Sequence, residues 1–137
     1  MRGFRKGGVA ACAKHYVGYG GALAGRDYAE TDISEPTLRD VYLPPFKAAV
    51  DAGAETLMSA FSTLNGVSAS ANRHTLTDVL RREWKFEGFV VSDWNSIGEL
   101  VPHGMAKDAA AAAHMAVVAG VDMDMEIALF NADHNKE

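Results

Sequence analysis

Four short apolar runs alternate with longer segments of mixed polarity along this chain. They comprise residues 9–14, 56–60, 89–93 and 120–125, and each is nearly continuously hydrophobic, without alternation of inward and outward positions. This pattern is typical of strands that are covered on both faces of a parallel sheet. The runs begin about 30 to 50 residues apart, which leaves enough chain for a right-handed crossover containing a helix. The pattern therefore predicts an α/β fold with a parallel sheet.

The segment after the first run predicts two helices. Ser34 is expected to cap a helix over residues 35–42, because a serine hydroxyl can accept a bond from a free backbone N–H at a helix start. The proline pair at 44–45 is expected to interrupt that helix, since proline lacks an N–H and its ring clashes with the preceding turn. A second helix over residues 46–52 should then end at Gly53.

The later segments predict two more helices. Thr75 or Thr77 is expected to cap a helix that runs to Trp84. The alanine-rich residues 107–119 have strong helix propensity, with their Ala and Met positions packing inward. Gly120 is expected to close this last helix, because glycine tolerates the left-handed backbone of a C-terminal cap.

Helices that alternate with parallel strands leave two architectures, a (β/α)8 barrel or an open doubly wound sheet. The glycine-rich residues 18–21 follow the first run by several residues and do not lead directly into a helix. They therefore lack the context of a dinucleotide-binding loop. We predict a partial (β/α)8 TIM barrel of about four β/α units, with no separate domain boundary.

The composition, 48% hydrophobic and 23% charged over 137 residues, is typical of a soluble globular protein. A net charge of −5 without any basic stripe argues against nucleic acid as a partner. The longest apolar stretch, residues 109–121, contains His114 and is too short to span a bilayer, so no membrane partner is expected. Cys12 is the only cysteine, which excludes a disulfide framework and a thiolate metal cluster.

Polar or aromatic residues end each of the four runs. These clusters comprise residues 14–15, 59–61, 92–94 and 122–125. The ends of parallel strands gather at one face of a barrel, which is where active sites lie. A carboxylate, a cation, an imidazole and an indole at one face are typical of a sugar site, because hydroxyls need charged hydrogen-bond partners and the C–H face of a sugar ring packs on aromatic rings.

Seven short motifs occur in order between about residues 9 and 125. They are KHY at 14–16, GRDY at 25–28, LRDVYLPPF at 38–46, NGV at 65–67, LRREW at 80–84, GFVVSDW at 88–94 and AGVDM at 119–123. In this order and spacing, the chain resembles glycoside hydrolase family 3, the β-glucosidase and β-xylosidase family. The resemblance implies retaining hydrolysis of terminal β-D-glycosides, with a β-linked oligosaccharide or aryl glycoside as substrate and no cofactor.

The resemblance also implies roles for individual residues. Asp93 in the Ser-Asp-Trp segment matches the catalytic nucleophile, and Trp94 would form part of the pocket for the sugar at the cleavage point. Lys14 and His15 match a Lys-His pair that hydrogen-bonds hydroxyls of the same sugar.

Pocket-lining residues are expected from the strand before that of the nucleophile, at Met58 and Phe61. Phe61 and Ser62 stand where many members have Tyr-Asn, although Phe is familiar in the bacterial periplasmic β-glucosidase subgroup that the chain most resembles.

Structural roles compete with these assignments. Asp93 judged without the family is equally suited to capping a following helix, and Lys14 and His15 could form a structural pair beneath the loop. Asp122 and Asp124 have the look of a metal pair, but such carboxylates more often cap and brace loops, so no metal is expected. The other histidines have no ligand spacing and are expected to be solvated or packed on helices: His74, His103, His114 and His134.

A retaining glycosidase needs a second carboxyl group as general acid and base, about 5 Å from the nucleophile. In the family this group comes from a domain after the barrel. Residues 1–137 are therefore expected to be a fragment of the N-terminal catalytic barrel without that domain, with residues 127–137 beginning a helix. Such a fragment should be inactive alone and should self-associate through unpaired strand edges.

Three other functions remain open at this point. The chain could bind sugars without turnover, or could be a cryptic fragment with no independent role. A different barrel enzyme, such as an aldolase with a Schiff base on Lys14, is the third alternative. His15 and the segment at 92–94 favour sugar chemistry over the aldolase.

Overall fold

A three-stranded parallel sheet forms the centre of the computed structural model, which describes residues 1–125. The strand order is β1 (Cys12–Tyr16), β2 (Thr56–Ser59) and β5 (Phe89–Val91), with Leu57 opposite Val90 in the register. This sheet confirms the predicted α/β class. The expected helix over residues 127–137 lies outside the described residues.

β1 departs from the prediction in both position and burial. It begins and ends later than the predicted run at 9–14, because Tyr16 belongs to the strand and is fully buried. Cys12 and Lys14 are exposed, whereas a strand covered on both faces would bury both. The prediction of two covered faces is wrong for β1, since no described residue covers the face that carries these two side chains.

The predicted strand at 120–125 is reduced to a single parallel bridge between Val91 and Met123. The reason is a competing side-chain bond. The Oδ2 atom of Asp122 accepts the backbone N–H of Val90 at 2.7 Å. This N–H can therefore not donate to a backbone carbonyl of residues 120–125, as a regular β-ladder would require.

The two predicted helices before β2 are one continuous helical segment. It consists of α2 (Glu35–Thr37), a π-helix (Leu38–Tyr42) and α3 (Leu43–Asp51). Ser34 caps it as predicted, because its Oγ accepts the N–H of Thr37 at 3.2 Å.

The prediction that the proline pair at 44–45 interrupts this segment is wrong. The N–H of Leu43 donates to the carbonyl of Leu38, which is an i→i−5 bond rather than an α-helical one. This wider turn lies directly before the prolines, where their missing N–H groups would otherwise leave a gap in the α-helical pattern. The prolines therefore occupy the first turn of α3, where helices tolerate them.

The helix before β5 is a π-helix (His74–Glu83). Its cap is Asn72, whose side chain accepts the N–H of Thr75 at 3.1 Å, so the expectation that Thr75 or Thr77 caps it is wrong. Thr77 has a different contact: its hydroxyl donates to the carbonyl of Ala119 at 2.7 Å.

The alanine-rich helix forms as predicted, beginning slightly later. α4 (Ala109–Ala119) is capped by Asp108, which accepts the N–H of Ala111 at 2.8 Å. Gly120 closes it with φ 118°, a left-handed conformation that favours glycine. The remaining helical elements are short: α1 (Arg2–Lys6) and 3₁₀ turns at Tyr19–Gly21, Leu23–Gly25, Ala69–Ala71 and Gly98–Leu100.

A hairpin after β2 was not predicted. β3 (Thr63–Leu64) and β4 (Val67–Ser68) pair in antiparallel fashion around Asn65 and Gly66, which have φ of 51° and 80°. Two left-handed residues in an Asn-Gly pair are typical of a tight hairpin turn. The Asn65 amide also joins the hairpin to Ile33, accepting its N–H at 2.9 Å and donating to its carbonyl at 2.8 Å.

Tyr16 anchors the carboxyl end of β1 in the core. Its ring packs edge-on against Phe46 and Trp84, at 5.2 and 6.1 Å between centroids, and its hydroxyl donates to the carbonyl of Thr75 at 2.8 Å. Burial raises the pKa of this hydroxyl well above its usual range. Tyr16 therefore fixes the position of the residue before it, His15. Within residues 1–125, no helix has the length and hydrophobicity that a membrane crossing requires.

Candidate active site

Three residues singled out in the sequence meet at the carboxyl edge of the sheet. His15 belongs to β1, Phe61 follows β2 and Asp93 follows β5. The Nε2 atom of His15 lies 3.4 Å from Oδ2 of Asp93, and the His15 ring is 6.5 Å from the Phe61 ring. Parallel strands bring their carboxyl ends to one edge, which explains why residues far apart in sequence are neighbours here.

The Asp93 carboxylate is held in a defined orientation. Its Oδ1 accepts the backbone N–H of Trp94 at 2.8 Å, while Oδ2 faces His15, and its side chain is only 15% exposed. A helix cap would instead accept an N–H two or three residues further along. The geometry therefore leaves Oδ2 on the side of the imidazole, where a ligand could approach it.

The turn after Asp93 is fixed by its backbone. The N–H of Ser96 donates to the Asp93 carbonyl at 3.1 Å, and Asn95 between them has φ 53°. Asn is one of the few residues other than glycine that visits this left-handed region readily. Ile97, fully buried, anchors the segment that follows.

The pKa of His15 is lowered from its ordinary value. Burial is the largest cause, because it disfavours the charged imidazolium, and the positive charge of Lys14 acts in the same direction. The negative charge of Asp93 opposes these effects without overcoming them. The His15 imidazole is therefore neutral at neutral pH.

The other three predicted site residues surround this pair less closely. The Lys14 side chain is exposed and forms no hydrogen bond or ion pair with any residue among 1–125, so its ammonium group is available to a ligand. The Trp94 side chain is 55% exposed. Met58 is partly buried in β2, opposite Val91 in the register.

An aromatic cluster beside Phe61 was missed in the sequence. The Tyr28 ring lies 4.5 Å from the Phe61 ring, and the Tyr19 ring lies 5.4 Å from Phe61 and 5.0 Å from His15. The Tyr19 hydroxyl donates to Oδ1 of Asp27 at 2.5 Å. Asp27 therefore braces this loop through the Tyr19 hydroxyl. The signal for this cluster was the presence of aromatic residues in a glycine-rich loop at a strand end.

Glu99 is a second carboxyl group near the site that the sequence did not indicate. Its pKa is raised, chiefly by burial, and the charge of Asp93 contributes in the same direction. Its Oε2 atom is buried and has no hydrogen-bond partner among the described residues. Glu99 in turn is the largest cause of the raised pKa of Tyr28, so the three side chains are electrostatic neighbours.

The acidic residues after α4 brace the sheet. Asp122 accepts bonds from the Arg81 guanidinium and from the N–H of Val90. Ser92 lies 3.5 Å from Oδ1 of Asp124 and accepts the N–H of Met125 at 2.8 Å. Among residues 1–125, no group of three His, Cys, Asp or Glu side chains is arranged to share a metal ion.

Comparison with known proteins gives a family for the chain. Residues 1–131 match the profile of the Glycosyl hydrolase family 3 N terminal domain. The chain is 44% identical to a periplasmic β-glucosidase of Salmonella typhimurium over 85% of its length, and 44% identical to a β-xylosidase of Formosa agariphila over 90%. It spans 15% and 17% of the length of these two relatives.

Solved structures of β-glucosidases share the fold of this chain. A β-glucosidase from Listeria innocua in complex with glucose is 39% identical, with a TM-score of 0.88 over 90% of this chain and 17% of that one. A β-glucosidase from Erythrobacter marinus is 43% identical, with a TM-score of 0.83 over 85% of this chain and 16% of that one. The chain therefore belongs to glycosyl hydrolase family 3, with residues 1–131 matching the N-terminal domain of that family.

Proposed function

We propose that this chain is the nucleophile-bearing part of a retaining glycosidase, with Asp93 as the nucleophile. The observation that carries the proposal is the orientation of the Asp93 carboxylate, with one oxygen held by the Trp94 N–H and the other facing His15 at 3.4 Å. A retaining hydrolase needs one ionised carboxylate aimed at the anomeric carbon.

The neighbouring side chains supply the functions that a sugar-binding site needs. Lys14 and His15 hydrogen-bond the hydroxyls of the sugar at the cleavage point, Lys14 with a charge-assisted bond. Trp94 and Phe61 offer aromatic surface to the C–H face of the ring, and Met58 lines the pocket beneath. The exposed indole of Trp94 and the Lys14 ammonium, which is unpaired among residues 1–125, support these roles.

The proposed substrates are terminal β-D-glucosides or β-D-xylosides. The relatives of this chain carry the names of β-glucosidases and β-xylosidases, and the Listeria innocua enzyme has been solved with glucose and, as a mutant, with laminaribiose. Glucose is a β-glucosidase product and laminaribiose a β-linked disaccharide of it, which supports the same class of substrate here.

The reaction proceeds in two steps. In the first, an oxygen of the Asp93 carboxylate forms a bond to the anomeric carbon while the glycosidic bond breaks, and a general acid gives its proton to the leaving oxygen. In the second, water attacks the same carbon, its proton passes to that acid's conjugate base, and the carboxylate is released. We propose that the acid and base come from another domain of a longer protein, since the relatives are about six times longer than this chain.

A mechanism-based 2-fluoro sugar tests the proposal in a full-length family 3 protein that carries this segment. The label should appear on Asp93, and Asp93→Asn should reduce turnover by about 10³-fold or more, because no covalent intermediate can form. Asp51→Asn is the matched control, since Asp51 lies on the surface of α3 and, within the described part of the chain, its ion pair is with Lys47. A label on Asp27, Asp122 or Asp124 would refute the assignment.

A further inference from the structure

Three serine hydroxyls form a continuous buried line below the candidate site. Ser59 ends β2, Ser70 lies in the 3₁₀ turn Ala69–Ala71, and Ser96 follows the turn after Asp93. The Oγ atoms of Ser59 and Ser70 are 2.8 Å apart, as are those of Ser70 and Ser96. All three residues are 0% exposed.

Ser70 is the central member of this line. Its Oγ atom lies 2.8 Å from the Oγ atoms of both Ser59 and Ser96, and either serine of each pair can be the donor. The carbonyl oxygen of Ala60 lies 3.2 Å from the same Oγ atom and can accept its proton. With one proton and two lone pairs, the Ser70 hydroxyl can bond all three of these neighbours.

The line joins the two chain segments that carry His15 and Asp93. At one end, Ser59 is paired with Tyr16 in the register of β1 and β2, next to His15. At the other end, the N–H of Ser96 donates to the carbonyl of Asp93 at 3.1 Å. The distance between the imidazole and the carboxylate therefore depends on elements that this line holds together.

Packing alone does not require hydroxyl groups at these positions. Buried polar groups lose their hydration, so that a satisfied hydrogen bond adds only modestly to net stability. Apolar groups of similar shape can replace a buried polar pair at little cost to stability. Hydroxyl groups add a defined geometry, because hydrogen bonds fix the distance and angle between two groups and apolar contacts do not.

We propose that Ser59, Ser70 and Ser96 form a positioning network that sets the distance between His15 and Asp93, and this proposal rests on the proposed role of Asp93 as nucleophile. Attack on the anomeric carbon requires reacting atoms about 3–3.5 Å apart and aligned, and a misplacement of about 1 Å can cost 10²-fold in rate. The network keeps the turn that carries Asp93 at the correct distance from β1 and β2.

The test measures how fast a 2-fluoro sugar traps the nucleophile in a full-length family 3 protein that carries this segment. Ser70→Ala should lower the trapping rate constant about 10- to 100-fold, with the inactivator's dissociation constant changed less than about 3-fold. Ser70→Cys, which keeps the shape and a weaker donor, should restore part of the rate.

Ser68→Ala is the matched control. Ser68 ends β4, two residues before Ser70, and is 1% exposed, but its hydroxyl has no hydrogen-bond partner among the described residues. Removing an unpaired buried hydroxyl should leave the trapping rate unchanged. If Ser70→Ala does not fold, Ser96→Ala takes its place, because it leaves the bond from Ser70 to Ala60 intact.

The possible outcomes separate the two proposals. Normal trapping in Ser70→Ala, or in the Ser96→Ala substitute, with only a lower melting temperature, would show that the serines are merely structural. Asp93→Asn tests the function independently. Trapping retained in that variant would overturn the proposed function, whereas trapping lost there and normal in Ser70→Ala would overturn the serine network alone.

Discussion

The contrast between His15 and Lys14 shows how adjacent residues of one strand acquire different properties. His15 is half-buried beside Asp93 and Tyr19, while Lys14 is exposed and remains available to a ligand. In the proposed site, both donate to hydroxyls of one sugar. Removing either leaves a sugar hydroxyl unpaired in a site from which water is excluded, and this penalty is larger than the net value of the bond itself.

Lys14→Ala and His15→Ala should each weaken transition-state stabilisation by about 1–3 kcal/mol. The loss should appear mostly in kcat, because bonds to the sugar at the cleavage point strengthen as charge develops. Steady-state kinetics on an aryl β-glucoside or β-xyloside measure the effect in the full-length protein. Wild-type kinetics in both variants, with an intact fold, would assign the pair a structural role.

The lowered pKa of His15 predicts a dependence of stability on pH. The unfolded chain takes up a proton as pH falls below about 6.5, whereas the folded chain resists protonation because His15 is partly buried. The unfolded state then binds more protons, so stability decreases as pH drops through this window. His15→Asn should lose less stability than the wild type between pH 7 and pH 5 in urea unfolding. An equal change in the free energy of unfolding with pH in the two proteins would contradict the prediction.

Secondary-structure elements differ in how directly the sequence encodes them. β2 and β5 lie within two residues of their predicted limits, since each contains buried hydrophobic residues, Leu57 in β2 and Val90 and Val91 in β5. The two-residue strands of the hairpin are too short for any periodicity, and only the Asn-Gly pair indicated the turn. The π-helix before the prolines could not be predicted, because an i→i−5 bond leaves no distinct sequence pattern.

Residues of the candidate site also differ in whether the sequence could place them. His15, Phe61 and Asp93 could be predicted as neighbours, because they end parallel strands and such ends converge. Tyr19, Tyr28 and Glu99 could not, since they reach the site from irregular segments whose path has no period. The roles of all predicted site residues stay predictions.

The N-cap of α4 offers a direct test at the scale of an element. Asp108→Ala should remove the bond to the Ala111 N–H and cost about 1 kcal/mol, which lowers the melting temperature by roughly 2–4 °C in a domain of 150–250 residues. Asp108→Asn should retain most of the stability. Lys107→Ala is the control, because it removes only the long ion pair to Asp108 at 3.8 Å. An equal loss in Lys107→Ala would attribute the effect to charge.

On the scale of the whole chain, the sheet exposes surface that a closed barrel would cover. Among residues 1–125, one face of β1 presents Cys12 and Lys14 to solvent, and Phe89 at the start of β5 is 43% exposed. Unpaired edges and exposed apolar side chains favour association between chains.

The isolated chain should therefore self-associate and should show no measurable hydrolysis of aryl β-glucosides or β-xylosides. Because the proposed general acid belongs to another domain, the leaving oxygen would depart unprotonated from the isolated chain, and an open site admits water. Light-scattering chromatography beside a chromogenic assay measures both properties. A folded 14.6 kDa monomer with turnover would refute the expectation of an incomplete enzyme.

The Asn65 contact with Ile33 also affects the consequences of chemical degradation of the chain. An asparagine followed by glycine is the dipeptide most prone to deamidation, since the small glycine lets its backbone nitrogen attack the side-chain amide. Here both ends of that amide are bound, the oxygen to the N–H of Ile33 and the nitrogen to its carbonyl. Conversion to aspartate would replace the donor by a carboxylate facing a carbonyl oxygen. Slow chemical damage at this one position would therefore loosen the hairpin from the segment that leads into α2.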